Sequence, residues 1–203
     1  SAAEVNYQMF WKSLKPLLAH DTEAEARLDE VRDGFGDAMA DAINAMWASK
    51  LGLATPDPEL AKDLLGLMLS SKLDYTIFFR RLSDIPDDID ALKESFYSES
   101  SEQLDAKWSE WLKRWREVLK SQGDLSQASA SMKQANPAIT WREWLIAPAY
   151  NQAAEGDSTL INELQQVFSN PYQQPPTELS RYDQLKPREF FNAGGVSNYS
   201  CSS

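Results

Sequence analysis

Cysteine occurs once in these 203 residues, and so does histidine. A single thiol cannot close a disulfide within the chain, which excludes a disulfide-stapled secreted scaffold and favours a reducing compartment. His20 has no second His or Cys near it in sequence, so it builds no zinc site, and a Ser-His-Asp arrangement would need a presented serine that no motif identifies. It reads as a loop histidine. Long hydrophobic runs are also missing: Leu64 to Leu69 and Trp144 to Ala149 fall far short of the ~20 residues needed to cross a bilayer. No leader pattern opens the sequence, and a soluble protein is expected, cytoplasmic in a bacterium or mitochondrial in a eukaryote. Positive charge is scarce, with 20 Lys and Arg against 31 Asp and Glu and a net charge of -11. That balance repels polyanions, so neither nucleic acid nor membrane is expected as a partner. Strand signals are absent too, since no period-two alternation extends beyond four residues.

What the sequence does have is helical periodicity. Hydrophobic residues make up 42% and charged residues 25%, with 8 glycines and 10 prolines, an ordinary globular composition. A chain of this length buries roughly 70% of its unfolded surface, so a core forms without staples. Val5 to Ala19 carries Met9, Phe10, Leu14, Leu17 and Leu18 at helical spacing. Thr22 and Glu25 read as a capping box ahead of a run from Leu28 to Trp47 that Gly52 ends. Gly34 and Gly36 interrupt this run at about 1 kcal/mol each, which predicts a kink or short break. Asp57-Pro58 is a helix start whose buried face is Leu60, Leu64, Leu65, Leu67 and Met68. Asp74 caps a short helix, Tyr75 to Leu82, and another is expected from Pro86 to about Tyr97. Ser100 and Gln103 form a capping pair before the strongest stripe, Leu104, Trp108, Trp111, Leu112, Trp115, Val118 and Leu119, which Gly123 stops. Leu125 to Ala135 follows, closed by Asn136-Pro137. Thr140 and Glu143 are expected to cap a helix bearing Trp144 and Leu145, with Pro148 interrupting it. Ser158 to Phe168 is the last helix.

The class is therefore all-α, an irregular bundle of about seven to nine helices over residues 1–168. Residues 169–203 form an extended tail, broken by Pro175, Pro176, Pro187, Gly194 and Gly195 and anchored by Tyr172, Tyr182, Leu185, Phe190 and Phe191.

Motifs for chemistry are weak. Gly34-Phe35-Gly36 lacks a third glycine, because Met39 stands there, and no strand precedes it. Asp84, Asp87, Asp88 and Asp90 gather four carboxylates without the glycine and distal Glu of a calcium loop, and helix N-termini favour acids in any case. Lys113, Arg114 and Arg116 alternate with Trp111 and Trp115 in the manner of a single-strand stacking platform, yet the tryptophans lie on the apolar stripe and the cations face solvent. Catalytic, cofactor and metal residues are accordingly read as none in this chain. Cys201 differs, because it sits on a polar terminus that cannot bury it. It is either an incidental thiol or a redox residue able to exchange with another sulfur. Prenylation is excluded, since the cysteine is third rather than fourth from the end.

Several segments taken together resemble the selenoprotein O family. They are Lys50-Leu51-Gly52-Leu53; Asp74-Tyr75-Thr76 with Phe79-Arg80 and Leu82; Asn136-Pro137 with Arg142 and Trp144-Leu145; Ala153-Ala154 with Gly156-Asp157; Asn170-Pro171-Tyr172; and the terminal Ser200-Cys201-Ser202-Ser203. The resemblance is to the C-terminal region of that family. It implies a kinase-like core upstream of residue 1, a pseudokinase that uses ATP and a divalent metal, Mg or Mn, to transfer AMP to Ser, Thr or Tyr of protein substrates. None of that core's glycine loop, lysine or metal motifs is present here. Cys201 matches the position at which animal members carry selenocysteine, which implies a redox role. Pro148 and the segment Arg188 to Asn192 depart from the family's pattern.

The expected function is that of the non-catalytic helical C-terminal domain of a protein adenylyltransferase, buttressing the core and carrying a redox-responsive cysteine. The alternative is a stand-alone helical interaction module. An independent all-α enzyme finds no pair of ionisable groups to support it.

Overall fold

The computed structural model describes residues 2–191. Among them are nine α-helices, four 3-10 helices and one isolated bridge between Leu73 and Phe96. The all-α expectation is met. By its contacts the chain divides into two compact units, residues 1–47 and 48–203.

In the first unit α1 (Ala2–Leu14) leads into a 3-10 turn, Lys15–Leu17, and then α2 (Thr22–Asp33). The cap of α2 is Asp21, whose carboxylate accepts the Ala24 N–H at 2.9 Å, and not Thr22 as the capping-box pattern suggested. Asp and Thr are both competent N-caps, and the one that keeps extended backbone at the boundary takes the role. The predicted break occurs at Gly34, which ends α2 before α3 (Phe35–Leu51). Met9, Phe10 and Leu17 do not form a buried face here; all three are exposed.

The second unit opens with the last turn of α3, and α4 (Pro58–Ser71) follows under its Asp57 cap. Leu60 and Leu64 are fully buried, while Leu65 is exposed. Next, α5 (Tyr75–Leu82) begins at Asp74 as the sequence indicated. The helix expected from Pro86 to Tyr97 is only a 3-10 segment, Asp90–Ser95. Two local features account for this: Ile85 takes a positive φ of 52°, and the Asp88 carboxylate accepts the N–H groups of Asp90 and Ala91, turning the chain before an α-helix propagates. The long α6 (Glu102–Gln122) is capped by Ser101 rather than Ser100, which instead donates to Asp105.

Three tryptophans of α6 hold the core. Trp108, Trp111 and Trp115 are buried, and each indole N–H finds an acceptor: the Ser71 hydroxyl at 2.8 Å, the Leu60 carbonyl at 3.0 Å and the Leu51 carbonyl at 2.9 Å. One helix face thus joins α3 and α4 through both apolar area and a satisfied donor. Phe78, Phe79, Leu82, Leu92, Leu119 and Met132 complete this core.

After α7 (Leu125–Ala135), α8 (Glu143–Ala154) starts at Arg142 without a side-chain cap, so the Thr140–Glu143 pair does not act as one. Pro148 lies inside α8 without ending it. The helix continues because the residues on either side pack against α9 (Thr159–Phe168), and that packing outweighs one lost backbone bond. Leu179 and Tyr182, from a 3-10 helix at Thr177–Tyr182, are buried in the same cluster as Trp144, Leu145, Leu164 and Val167.

Candidate functional site

Three polar side chains of the second unit, Lys50, Arg80 and Ser83, converge on one buried asparagine. Asn136 is the first residue beyond α7 and is fully buried. Its Oδ1 accepts from Lys50 Nζ at 2.9 Å, and its Nδ2 donates to the Lys50 carbonyl at 2.9 Å and to Ser83 Oγ at 3.2 Å. The Asn136 carbonyl accepts from Arg80 at 3.3 Å, and Arg80 also reaches the Lys133 carbonyl at 3.2 Å. Both amide hydrogens, the side-chain oxygen and the backbone carbonyl are therefore engaged. The ends of α3, α5 and α7 are joined at this point.

Lys50 Nζ also lies 4.5 Å from the centre of the Phe79 ring and 5.0 Å from that of Tyr75, where the ring faces attract the cation. Burial lowers the pKa of Lys50 and of Arg80, and raises that of Tyr75, in each case by disfavouring the charged form.

A second constellation adjoins the start of α5. Asp74 accepts two hydrogen bonds from the Arg142 guanidinium, each at 2.9 Å, one from the Ile77 N–H at 3.0 Å and one from the Tyr97 hydroxyl at 3.1 Å. Arg142 additionally donates to the Gln184 carbonyl at 3.0 Å. The fork geometry makes this a strong pair, and both side chains are about a tenth exposed. Burial, and then the nearby Asp74 charge, push the Tyr97 phenol upward. A shallow cleft of about 410 Å³ opens beside the pair, lined by Tyr75, Thr76, Thr140, Trp141 and Lys186 among others. Asp74 thus serves one cap, one tyrosine and one arginine at once. Among the described residues no buried side-chain nitrogen or oxygen lacks a partner. The arrangement holds helices together.

The residues singled out for chemistry are dispersed. Asp84 pairs with Lys133 at 2.6 Å, Asp87 with Arg116 at 2.5 Å and Asp90 with Lys93 at 2.7 Å, while Asp88 turns the backbone. Four carboxylates close in sequence thus serve separate local purposes. Trp111 and Trp115 stack at 5.8 Å in the core, Arg114 pairs with Asp63 at 2.6 Å, and Arg116 also donates to the carbonyls of Ile85 and Pro86. Arg116 is therefore a clamp on the loop after α5 rather than a solvated cation. His20 is exposed in the link before α2, and Gly34 and Gly36 end one helix and begin the next. Among the described residues no group of three or more His, Cys, Asp or Glu stands where it could hold a metal ion. Cys201 lies outside the described residues.

Sequence reasoning did not foresee the hub at Asn136. Asn136-Pro137 was legible only as a helix stop. The available signal was that Lys50, Asp74, Arg80, Asn136 and Arg142, residue types that ordinarily face solvent, all fall within the segments carrying the family resemblance.

These features define a class: an all-helical protein whose second unit carries two networks of hydrogen-bonded polar and charged side chains. The family model for protein adenylyltransferase SelO matches residues 1–169, and the chain belongs to that family. The resemblance read from the sequence is borne out. Similar proteins include the protein nucleotidyltransferase YdiU of Xanthomonas campestris pv. campestris (strain B100), 33% identical over 200 residues that are 95% of this chain and 38% of the relative. That of Rhizobium etli (strain CIAT 652) is 33% identical over 192 residues, 91% of this chain and 37% of the relative. That of Bradyrhizobium sp. (strain BTAi1) is 34% identical over 186 residues, 87% of this chain and 36% of the relative. The chain spans less than two fifths of the length of these relatives. No helix among the described residues is long and apolar enough to cross a membrane.

Proposed function

We propose that this chain is the helical C-terminal part of a protein adenylyltransferase, itself non-catalytic, which buttresses an upstream kinase-like core and carries a redox-responsive thiol at Cys201. One observation carries the reading. In a chain of this family, four charged residues of the segments that carry the resemblance, Lys50, Asp74, Arg80 and Arg142, are engaged in joining helices. Groups held in that way support a neighbouring active site better than they form one.

In the complete protein the pseudokinase core binds ATP with Mg or Mn, and a substrate Ser, Thr or Tyr hydroxyl attacks the α-phosphorus while pyrophosphate leaves. Cys201 is the one sulfur this chain contributes that can form a disulfide. On oxidation by a disulfide or peroxide it pairs with a cysteine of the core and restrains the cleft; reduction by a dithiol releases it. The reducing cytoplasm suits such a switch.

The test is AMP transfer by the complete protein and by its Cys201→Ser variant, each measured with and without dithiothreitol. The reading requires that reductant raise activity in the parent only, with the variant active throughout. An identical redox response in both proteins would remove the thiol from the account.

A further inference from the structure

Every buried hydrophobic residue of the described chain lies at Ala48 or beyond. Residues 2–47 form three helices nonetheless, and neither α1 nor α2 contains a buried residue. Aromatic and ionic contacts hold this unit. Tyr7 stacks on Phe35 with centroids 4.1 Å apart and planes 11° from parallel. Trp11 donates its indole N–H to Asp29 at 2.9 Å, and Lys15 and Arg32 lie over its ring at 4.7 and 4.4 Å. Leu14, Leu18 and Leu28 are half-buried, but other large apolar side chains of the unit stay exposed. Phe10 is 59% exposed and Leu17 78%; on α3, Ile43 and Met46 are 45% and 43% exposed. Met39, Ile43 and Met46 follow one another at intervals of four and three, the repeat of a single helix face. Apolar side chains repeated along one face mark a surface built to be covered.

We propose that this face of residues 2–47 is the seat on which the nucleotide-handling part of the same enzyme packs, an inference that rests on the function proposed above. Three observations select this occupant. The family match begins at residue 1 and includes the whole unit, so these helices belong to the enzyme's own architecture. The relatives are more than twice as long as the aligned segment, which is 38% of the Xanthomonas protein. The polar surround of the face is acidic: nine carboxylates stand against four cations between Ala2 and Trp47. A second copy would set like charges against one another, and an anionic lipid surface would be repelled. A polypeptide that handles a nucleotide polyanion brings cations, and a basic rim around an apolar patch complements this unit.

The experiment uses the complete polypeptide. A photoreactive benzoylphenylalanine replaces Phe10 in one protein and Ile43 in another, and the irradiated products are digested and sequenced by mass spectrometry. The account expects both probes to attach within one polypeptide to residues upstream of Ser1. Attachment to a second copy, to residues 48–191, or to nothing overturns it. Amide exchange in the unsubstituted protein provides a check that needs no variant to fold: the amides of α1 and α3 should exchange at least tenfold slower than unstructured amides, and exchange at the unstructured rate overturns the proposal as well. Failure of the two readings is separable. A complete polypeptide that binds no ATP sinks the proposed function and this inference together, whereas one that transfers AMP while its probes attach elsewhere sinks the inference alone.

Discussion

Arg142 grips both carboxylate oxygens of Asp74, each at 2.9 Å, across 68 positions of sequence. The pair fixes the start of α8 against the start of α5, and Tyr97 closes it from the segment before α6. Because both side chains are nearly buried, removing either leaves a charge in a place that water barely reaches.

Arg142→Met and Asp74→Asn are each expected to lower stability by about 3–5 kcal/mol, the range for breaking a buried pair. Urea denaturation measures this. The double variant should fall well short of the sum of the two, as contacting groups do. Single variants within about 0.5 kcal/mol of the parent would show that the pair is ornamental.

Asn136→Ala is expected to cost about 2–4 kcal/mol, since it strips partners from Lys50 Nζ, the Lys50 carbonyl and Ser83 at once. Adding Lys50→Met removes the stranded ammonium and should restore part of the loss. A second substitution that deepens the loss would argue that Lys50 is held by its aromatic neighbours instead.

Gly52→Ala tests the turn that ends α3. Gly52 has a φ of 70°, and a Cβ there would lie 2.9 Å from both Cγ and Sδ of Met132. Left-handed strain and the close contact together predict a loss of about 1–3 kcal/mol in thermal or chemical denaturation. Met132 is fully buried and has little room to move, so an unchanged midpoint would mean the core is looser than described.

The Glu163 carboxylate accepts hydrogen bonds from the Tyr182 hydroxyl and from Arg181, and these hold its pKa below the ordinary 4.5. A carboxylate whose folded pKa is depressed contributes stability that is present above its unfolded pKa and lost as pH falls through the folded one. Stability is therefore expected to decline as pH falls below about 4.5. Glu163→Gln should flatten that decline, and parallel acid profiles of parent and variant would contradict the assignment.

Local structure was written plainly in this sequence. Asp57, Asp74, Gly123 and the Leu125 to Ala135 helix stand where capping and periodicity put them, because each depends on residues three or four positions away. Errors of one position, Asp21 for Thr22 and Ser101 for Ser100, arise where two good caps adjoin. The lost helix after Pro86 reflects a long-range constraint as well as the local turn at Ile85 and Asp88, for Arg116 holds the carbonyls of Ile85 and Pro86 from 30 residues away. The hub was illegible for the same reason: Lys50 and Asn136 are 86 positions apart, and periodicity says nothing about which capped ends will meet. The apolar pattern of α1 was legible, but its exposure was not, since a helix face reads alike whichever partner covers it.

Calorimetric titration of ATP with Mg into the 203-residue chain, set beside the complete polypeptide, tests the central claim most directly. The account predicts saturable binding by the complete protein and no heat beyond dilution for the chain alone, once its helical circular dichroism shows it folded. Saturable binding by the chain itself would contradict the account, because the nucleotide site would then lie among these helices.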